Sequence, residues 1–198
     1  HCPGHLGGAA HPPQGNRRQD RLLVEFGGHV AFDEARCHGI HSDAAAGELG
    51  GAAAGAQLFA AQLVGRYDRE RPELAAMALA ADASMLTGIG SDYDFNVIFS
   101  KQVRAFGVAG DVLLALSAHG NCANVLAAIE AAHEREMTVV ALTGKGGGKI
   151  THALRETDVH VCVPNDHVPR IQEVHLLVLH CSCDAVDAQL LGDQEVSS

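Results

Sequence analysis

From about residue 51 the apolar positions fall into two textures that alternate along the chain, helical stripes and short unbroken runs. The stretch 52–64 is Ala-rich with Leu58, Phe59 and Leu63 on one side, which predicts a helix. An apolar run at 74–80, placed after Pro72 and before the capping residue Asp82, predicts a buried strand. Apolar residues at 95, 98, 99, 103 and 106 have helical spacing. Beyond them the pattern predicts a strand at 111–117, a helix at 122–135 and a strand at 137–143. A glycine-rich loop at 144–149, a short helix from Ile150 and a strand at 158–163, closed by Pro164, come next. The last element, 170–191, is a long helix apolar on most faces, suited to a core or an interface. Strands that are apolar throughout, separated by helices, read as parallel βαβ units. The expected fold class is therefore α/β, a doubly wound parallel sheet flanked by helices.

Residues 1–50 break this rhythm, with nine Gly, three Pro and six His interrupting every helical stretch. Only 22–26 (Leu22, Leu23, Val24, Glu25, Phe26) and 30–32 (Val30, Ala31, Phe32) could be short strands. Only His1 and His5 have the i, i+4 spacing of a helical metal site, and Pro3 and Gly4 between them break a helix, so a metal site is not expected here. The chain thus divides into an irregular Gly/Pro/His-rich segment, 1–50, and an α/β domain, 51–198.

Charge narrows the partners. Fourteen basic residues against 24 acidic ones give a net charge of −10, which disfavours direct nucleic-acid binding, because phosphate backbones need clustered cations. No run of 18 apolar residues occurs, so no membrane span is expected, and the opening residues show no leader pattern. The six cysteines, at 2, 37, 122, 162, 181 and 183, form no C-x-x-C pair. Reduced thiols in a cytoplasmic protein are the expectation.

Ligands of doubly wound sheets bind beyond the carboxyl ends of the strands. That rule selects the turn Ser117-Ala118-His119-Gly120-Asn121-Cys122. Entering a helix N-terminus, it offers backbone N–H groups and a positive dipole end to a phosphate, or else simply makes a tight turn and a cap. The 144–149 loop is glycine-rich but lacks Walker spacing, and reads as a turn rather than a nucleotide cradle.

These residues carry a resemblance. The 111–117 strand, Gly120-Asn121, the 134–144 stretch and 170–175 resemble the sugar isomerase (SIS) domain family. Within it they are similar to the bacterial phosphoheptose isomerases and their relative, the DnaA initiator-associating protein. Residues 66–72 and 99–104 belong to the same pattern, and the match covers roughly 51–192. The resemblance implies an SIS-type sheet, a homotetramer with sites between subunits, and zinc. It also implies interconversion of sedoheptulose 7-phosphate and a heptose 7-phosphate, towards the heptose of lipopolysaccharide. Such an aldose–ketose shift moves a proton between neighbouring carbons and needs a base, an acid and carbonyl polarisation.

Transferred residue by residue, the family's site is incomplete. Its metal-binding His is replaced by Leu58, and the Glu that serves as base and metal ligand by Gln62. The remaining metal ligand, Gln172, and the ligand and acid/base residue, His180, are kept. So are Thr87 and Asp92, which match polar residues near the sugar. Of the hydroxyl-rich phosphate loop, Ser117, Gly120 and Asn121 remain, with Ala118, His119 and Cys122 replacing its other hydroxyl groups. His119 either donates to a phosphate or is a loop histidine. Gln172 and His180 are either residual ligands or a polar pair on a buried helix, and His175 reads as a packing residue. Residues 1–50 stand where the family has a pair of helices, and read as a degenerate or out-of-frame replacement. Two functions follow: a phosphosugar isomerase, its zinc and turnover in doubt, or a non-catalytic DnaA-binding regulator of replication initiation.

Overall fold

The computed structural model describes residues 22–26 and 48–192 of the chain. Five parallel strands form one sheet: β1 (Leu22–Phe26), β2 (Ala76–Ala78), β3 (Val112–Ser117), β4 (Thr138–Gly144) and β5 (Val159–Val163). Their order across the sheet is β2-β1-β3-β4-β5. The helices are α1 (Glu48–Val64), α2 (Ala83–Asp92), α3 (Ile98–Phe106), α4 (Ala123–Glu134), α5 (Ile150–Ala153) and α6 (Val168–Leu191). The strand expected at 22–26 is present and lies between β2 and β3, with Leu22 opposite Ala76 on one side and Val112 on the other. The companion expectation at 30–32 lies outside the described residues. The strand order reverses between β1 and β3, which puts the topological switch point directly beside the end of β3.

Alternation along the two central strands builds two cores. Leu113 and Ala115 of β3 and Val139 and Ala141 of β4 point to one face, where Ile98, Phe99, Val103, Val125 and Ile129 of α3 and α4 cover them. Leu114, Leu116 and Leu142 point to the other, against Phe59 and Leu63 of α1 and Leu179 of α6. Helices thus pack on both faces of a sheet whose central strands are hidden from water.

Several boundaries differ from the sequence reading for local reasons. Helix α1 begins at Glu48 rather than 52, so residues 48–51 are its first turn and not a loop. Gly51 is accepted there because a Cβ would stand 2.7 Å from the Gln172 side chain, so the glycine lets α6 approach. The strand expected at 74–80 is only three residues long. Asp82 does cap, accepting the Met85 N–H at 2.9 Å, and it opens α2, whose short stripe of Leu86 and Ile89 is only half-buried against the core.

Helices α1 and α6 run side by side in the same direction, Gly51 facing Gln172, Gly55 facing Leu179 and Gln62 facing Cys183. Helix α6 buries the stripe Ile171, His175, Leu179, Cys183 and Asp187, while Val174, Leu176, Leu177 and Leu190 remain exposed. By length and hydropathy alone Val168–Leu191 could cross a bilayer; 22% of its apolar window is buried, where the stripe packs on the sheet and α1. One buried charge locks the pair. Arg71 donates Nε to Asp187 Oδ1 at 2.6 Å, Nη1 to the Leu63 carbonyl at 2.8 Å and Nη2 to the Gln62 carbonyl at 2.7 Å. Those carbonyls belong to the last turn of α1 and have no partner within the helix. Burial pushes the Asp187 carboxyl up, but its bonds from Arg71 and the Arg69 N–H outweigh that and hold it below the ordinary carboxylate value.

Removing one partner strands the other charge in the core. Arg71→Met should cost about 3–5 kcal/mol in chemical denaturation at neutral pH, and Arg71→Met with Asp187→Leu distinctly less. Because the folded pKa of Asp187 is depressed, its contribution is complete above about pH 4, the unfolded value, and fades as pH falls through the folded one. Unfolding midpoints measured from neutral to acid pH should therefore fall in the acid limb, and Asp187→Asn should flatten part of that fall.

Candidate functional site

The carboxyl ends of β3 and β4 feed two glycine-bearing turns that pack against one another. Ser117, the last residue of β3, accepts the Gly120 N–H on Oγ at 3.0 Å. Gly120 has φ +68°, and a Cβ there would collide with the Gly147 carbonyl, so only glycine fits this contact. The Ile150 N–H reaches the Gly120 carbonyl at 3.0 Å and the Lys149 N–H reaches Asn121 Oδ1 at 3.0 Å. The 144–149 loop is thus a buttress for the Ser117 turn. A helix N-terminus follows at once, with Cys122 as the N-cap of α4.

The turn already satisfies part of its own donor set. Besides the Gly120 N–H, the Asn121 N–H is taken at 3.0 Å by His119 Nδ1. The half-buried His119 therefore folds back onto its own turn instead of reaching outward as a donor. An anion seated here relies on the N-terminal turn of α4 and on rearrangement of His119.

The second group of expected residues lies on α1 and α6. Between these helices is a cavity of about 430 Å³ lined by Gly51, Ala54, Leu58, Gln172, His175 and Leu176, among others. Leu58, where the resemblance expects an imidazole, lends it a hydrocarbon wall. Gln62 lies a turn further along α1, its Oε1 accepting the Cys183 S–H at 3.5 Å. Burial pushes the Cys183 thiol up to about 11, so it stays protonated as that donor. His180 stacks on Tyr67, ring centroids 5.5 Å apart. Gln172 and His180 are eight residues apart on one helix, about 12 Å of rise. Gln172 packs against Gly51 and His180 against Tyr67, so this chain does not converge them on a point. His175 is buried, with Nε2 donating to the Thr143 carbonyl at 3.1 Å, and burial lowers its pKa, so it is neutral at pH 7. It packs as expected, but it also lines the cavity, which its spacing from Gln172 did not reveal.

The residues present do not fit a zinc ion within one chain. Among the described residues no group of three or more His, Cys, Asp or Glu side chains is placed to hold a metal. Tetrahedral zinc needs three or four such donors, and Leu58 and Gln62 supply none. Thr87 bonds back to the Ala83 carbonyl of its own helix at 2.7 Å, and Asp92 is exposed at the end of α2. Neither joins the Ser117 turn through a hydrogen bond.

Comparison with known proteins places this geometry. The SIS domain pattern matches residues 44–144. The phosphoheptose isomerase of Azoarcus sp. is 64% identical over 146 residues, covering 74% of each chain. That of Methylibium petroleiphilum is 60% identical over 148 residues, covering 75% of this chain and 74% of the relative. The solved phosphoheptose isomerase of Neisseria gonorrhoeae superposes with a TM-score of 0.69 at 46% identity, covering 85% of this chain and 77% of that one. A second, from Francisella tularensis, gives 0.71 at 35% identity over 85% and 76%. On the match of its sheet, its turns and its sequence, the chain belongs to the SIS domain family, in the branch of the phosphoheptose isomerases.

Proposed function

We propose that the chain binds a phosphorylated sugar at the Ser117–Cys122 turn and is a poor catalyst of the aldose–ketose isomerisation for which its relatives are named. The observation that carries the reading is the turn itself. It sits at the carboxyl end of β3, beside the switch point, shaped by Gly120 and leading into the N-terminus of α4. Such a position concentrates backbone donors on an anion without needing a basic surface. The substrate class, sedoheptulose 7-phosphate or its heptose isomer, comes from the relatives' name.

Weak catalysis follows from the side chains on α1. The isomerisation needs a group that takes a proton from one carbon and returns it to the next. The Gln62 amide does not take up a proton near neutral pH, and its oxygen is already turned to Cys183. His180 is the one imidazole of the expected set left to serve as acid or base, and it is stacked on Tyr67. With Leu58 in place, carbonyl polarisation by zinc has no complete donor set, and this proposal includes loss of the metal. A second reading, a non-catalytic protein that acts by contact as the DnaA-associating relative does, is favoured by the same two replacements. A cytoplasmic location belongs to either reading.

Assembly is part of the proposal. Leu177 is 60% and Leu190 52% exposed on α6, which suits burial against further copies of the chain, a tetramer by resemblance.

Incubated with sedoheptulose 7-phosphate and zinc, the chain should turn over about 10²–10⁴-fold more slowly than an enzyme with the full acid–base set. Leu58→His with Gln62→Glu should restore zinc uptake, measured by calorimetry, and with it part of the turnover, while Gln62→Glu alone should restore little. Unaided turnover near 1 s⁻¹ or faster, an ordinary enzyme rate, would sink the reading. Light scattering at micromolar concentration should show an oligomer that Leu177→Asp dissociates, and a monodisperse monomer would count against assembly.

A further inference from the structure

Where the resemblance expects a metal between α1 and α6, the structure holds a cavity of different chemistry, about 430 Å³ in volume. Hydrocarbon makes most of its wall: Ala52, Ala54 and Leu58 from α1, Leu116 from β3, Leu176 and Leu179 from α6. No lysine or arginine lines it. Its one carboxylate, Glu173, is held by Arg170, whose Nη1 donates to both carboxylate oxygens at 2.6 Å. Gln172 and His175 are its neutral polar members. His175 is only 5% exposed, and its Nε2–H goes to the Thr143 carbonyl at 3.1 Å. The neutral ring therefore carries its lone pair on Nδ1, which has no hydrogen-bond partner among the described residues. A buried acceptor in a hydrocarbon wall is costly when nothing donates to it, so this one calls for a donor from a ligand.

We propose that this cavity binds a small uncharged molecule with a hydrocarbon body and a hydroxyl group, an alcohol or a phenol, whose O–H donates to His175 Nδ1. Size suits such a ligand. A dry apolar cavity of about 150 Å³ already holds a benzene ring, so two fused rings have room here. Charge suits it as well: an anion meets no cation in the lining, and a cation meets a carboxylate that Arg170 already neutralises. A polyhydroxylated chain fits poorly, because its hydroxyl groups would lie against Leu58, Leu176 and Leu179, which offer no hydrogen bond. The inference goes beyond the sugar-phosphate reading and does not rest on it, since no residue of the Ser117–Cys122 turn lines the cavity.

The test titrates the intact chain with 2-naphthol, followed by fluorescence and by calorimetry, and should show one saturable site per chain. 2-Methoxynaphthalene keeps the rings and the oxygen but has no O–H, and should bind about tenfold more weakly. Myo-inositol, which has hydroxyl groups and no hydrocarbon body, should give no heat at millimolar concentration. These three comparisons need no variant to fold. Ala54→Trp fills the cavity from an exposed position on α1 and should abolish the 2-naphthol site. No saturable site for 2-naphthol, or a site that Ala54→Trp leaves unchanged, would overturn the proposal. Equal affinity for 2-naphthol and its methyl ether would overturn the donor bond to His175, and equal affinity for inositol would overturn the ligand class. Binding that appears only after Leu177→Asp has dissociated the oligomer would assign the cavity to a second copy of the chain and overturn it likewise.

Discussion

The face of the molecule that carries α1 and α6 depends on one buried guanidinium. Arg71 sits beyond the end of α1 and sends its donors in three directions, to Asp187 on α6 and to the carbonyls of Gln62 and Leu63. The same cation therefore closes the C-terminal end of one helix and fixes its neighbour alongside. Arginine is suited to this task because its planar fork serves several acceptors at once, where an ammonium would serve them as a point. With the ends tied, α1 and α6 are held at a spacing that leaves the cavity open near Gly51 and closes it near Gln62. The pair is an organising contact more than a large source of stability, since two charges had to leave water to form it.

The opposite face has a comparable fixture of smaller reach. Asp158, at the entry to β5, accepts from the Val139 and Arg155 N–H groups and from His133 at the end of α4. It thereby registers an edge strand, a central strand and a helix through one carboxylate. These two acids anchor the two layers separately. Substitutions on the α1 side, at positions such as 58 and 62, therefore have little means of disturbing the β3–α4 turn, which is braced from the α3–α4 side and by the 144–149 loop.

Much of this was legible in the sequence because the central strands are apolar on both faces and cannot be confused with solvated loops. Residues 112–117 and 138–144 are such runs, and the helix between them has its apolar positions at the right spacing. Helix α2 was not legible, since Thr87, Gly88 and Gly90 interrupt it and its Leu86 and Ile89 make only a short, half-buried stripe. The start of α1 was hidden by Gly50 and Gly51, which suggest a turn until Gln172 is seen to need the room. In the candidate site, Ser117, Gly120 and Asn121 were visible from their place after a strand. The inward fold of His119 depends on a hydrogen bond to the Asn121 N–H, which no residue pattern announces. The role of the 144–149 loop as a brace was likewise invisible, because the contact with Gly120 joins residues far apart in the chain.

The parallel sheet has an electrostatic result at odds with the acidity of the chain. In a sheet of this kind each helix that follows a strand starts at the carboxyl edge, so α1, α2, α4 and α6 present their amino ends on that side. Each end carries roughly half a positive charge that comes from peptide groups, not from side chains. A protein of net charge −10 thus keeps one rim to which an anion is drawn, and no lysine or arginine need be spent to make it. Sequence drift on the surface leaves this backbone contribution in place, because it comes from peptide groups that every side chain shares.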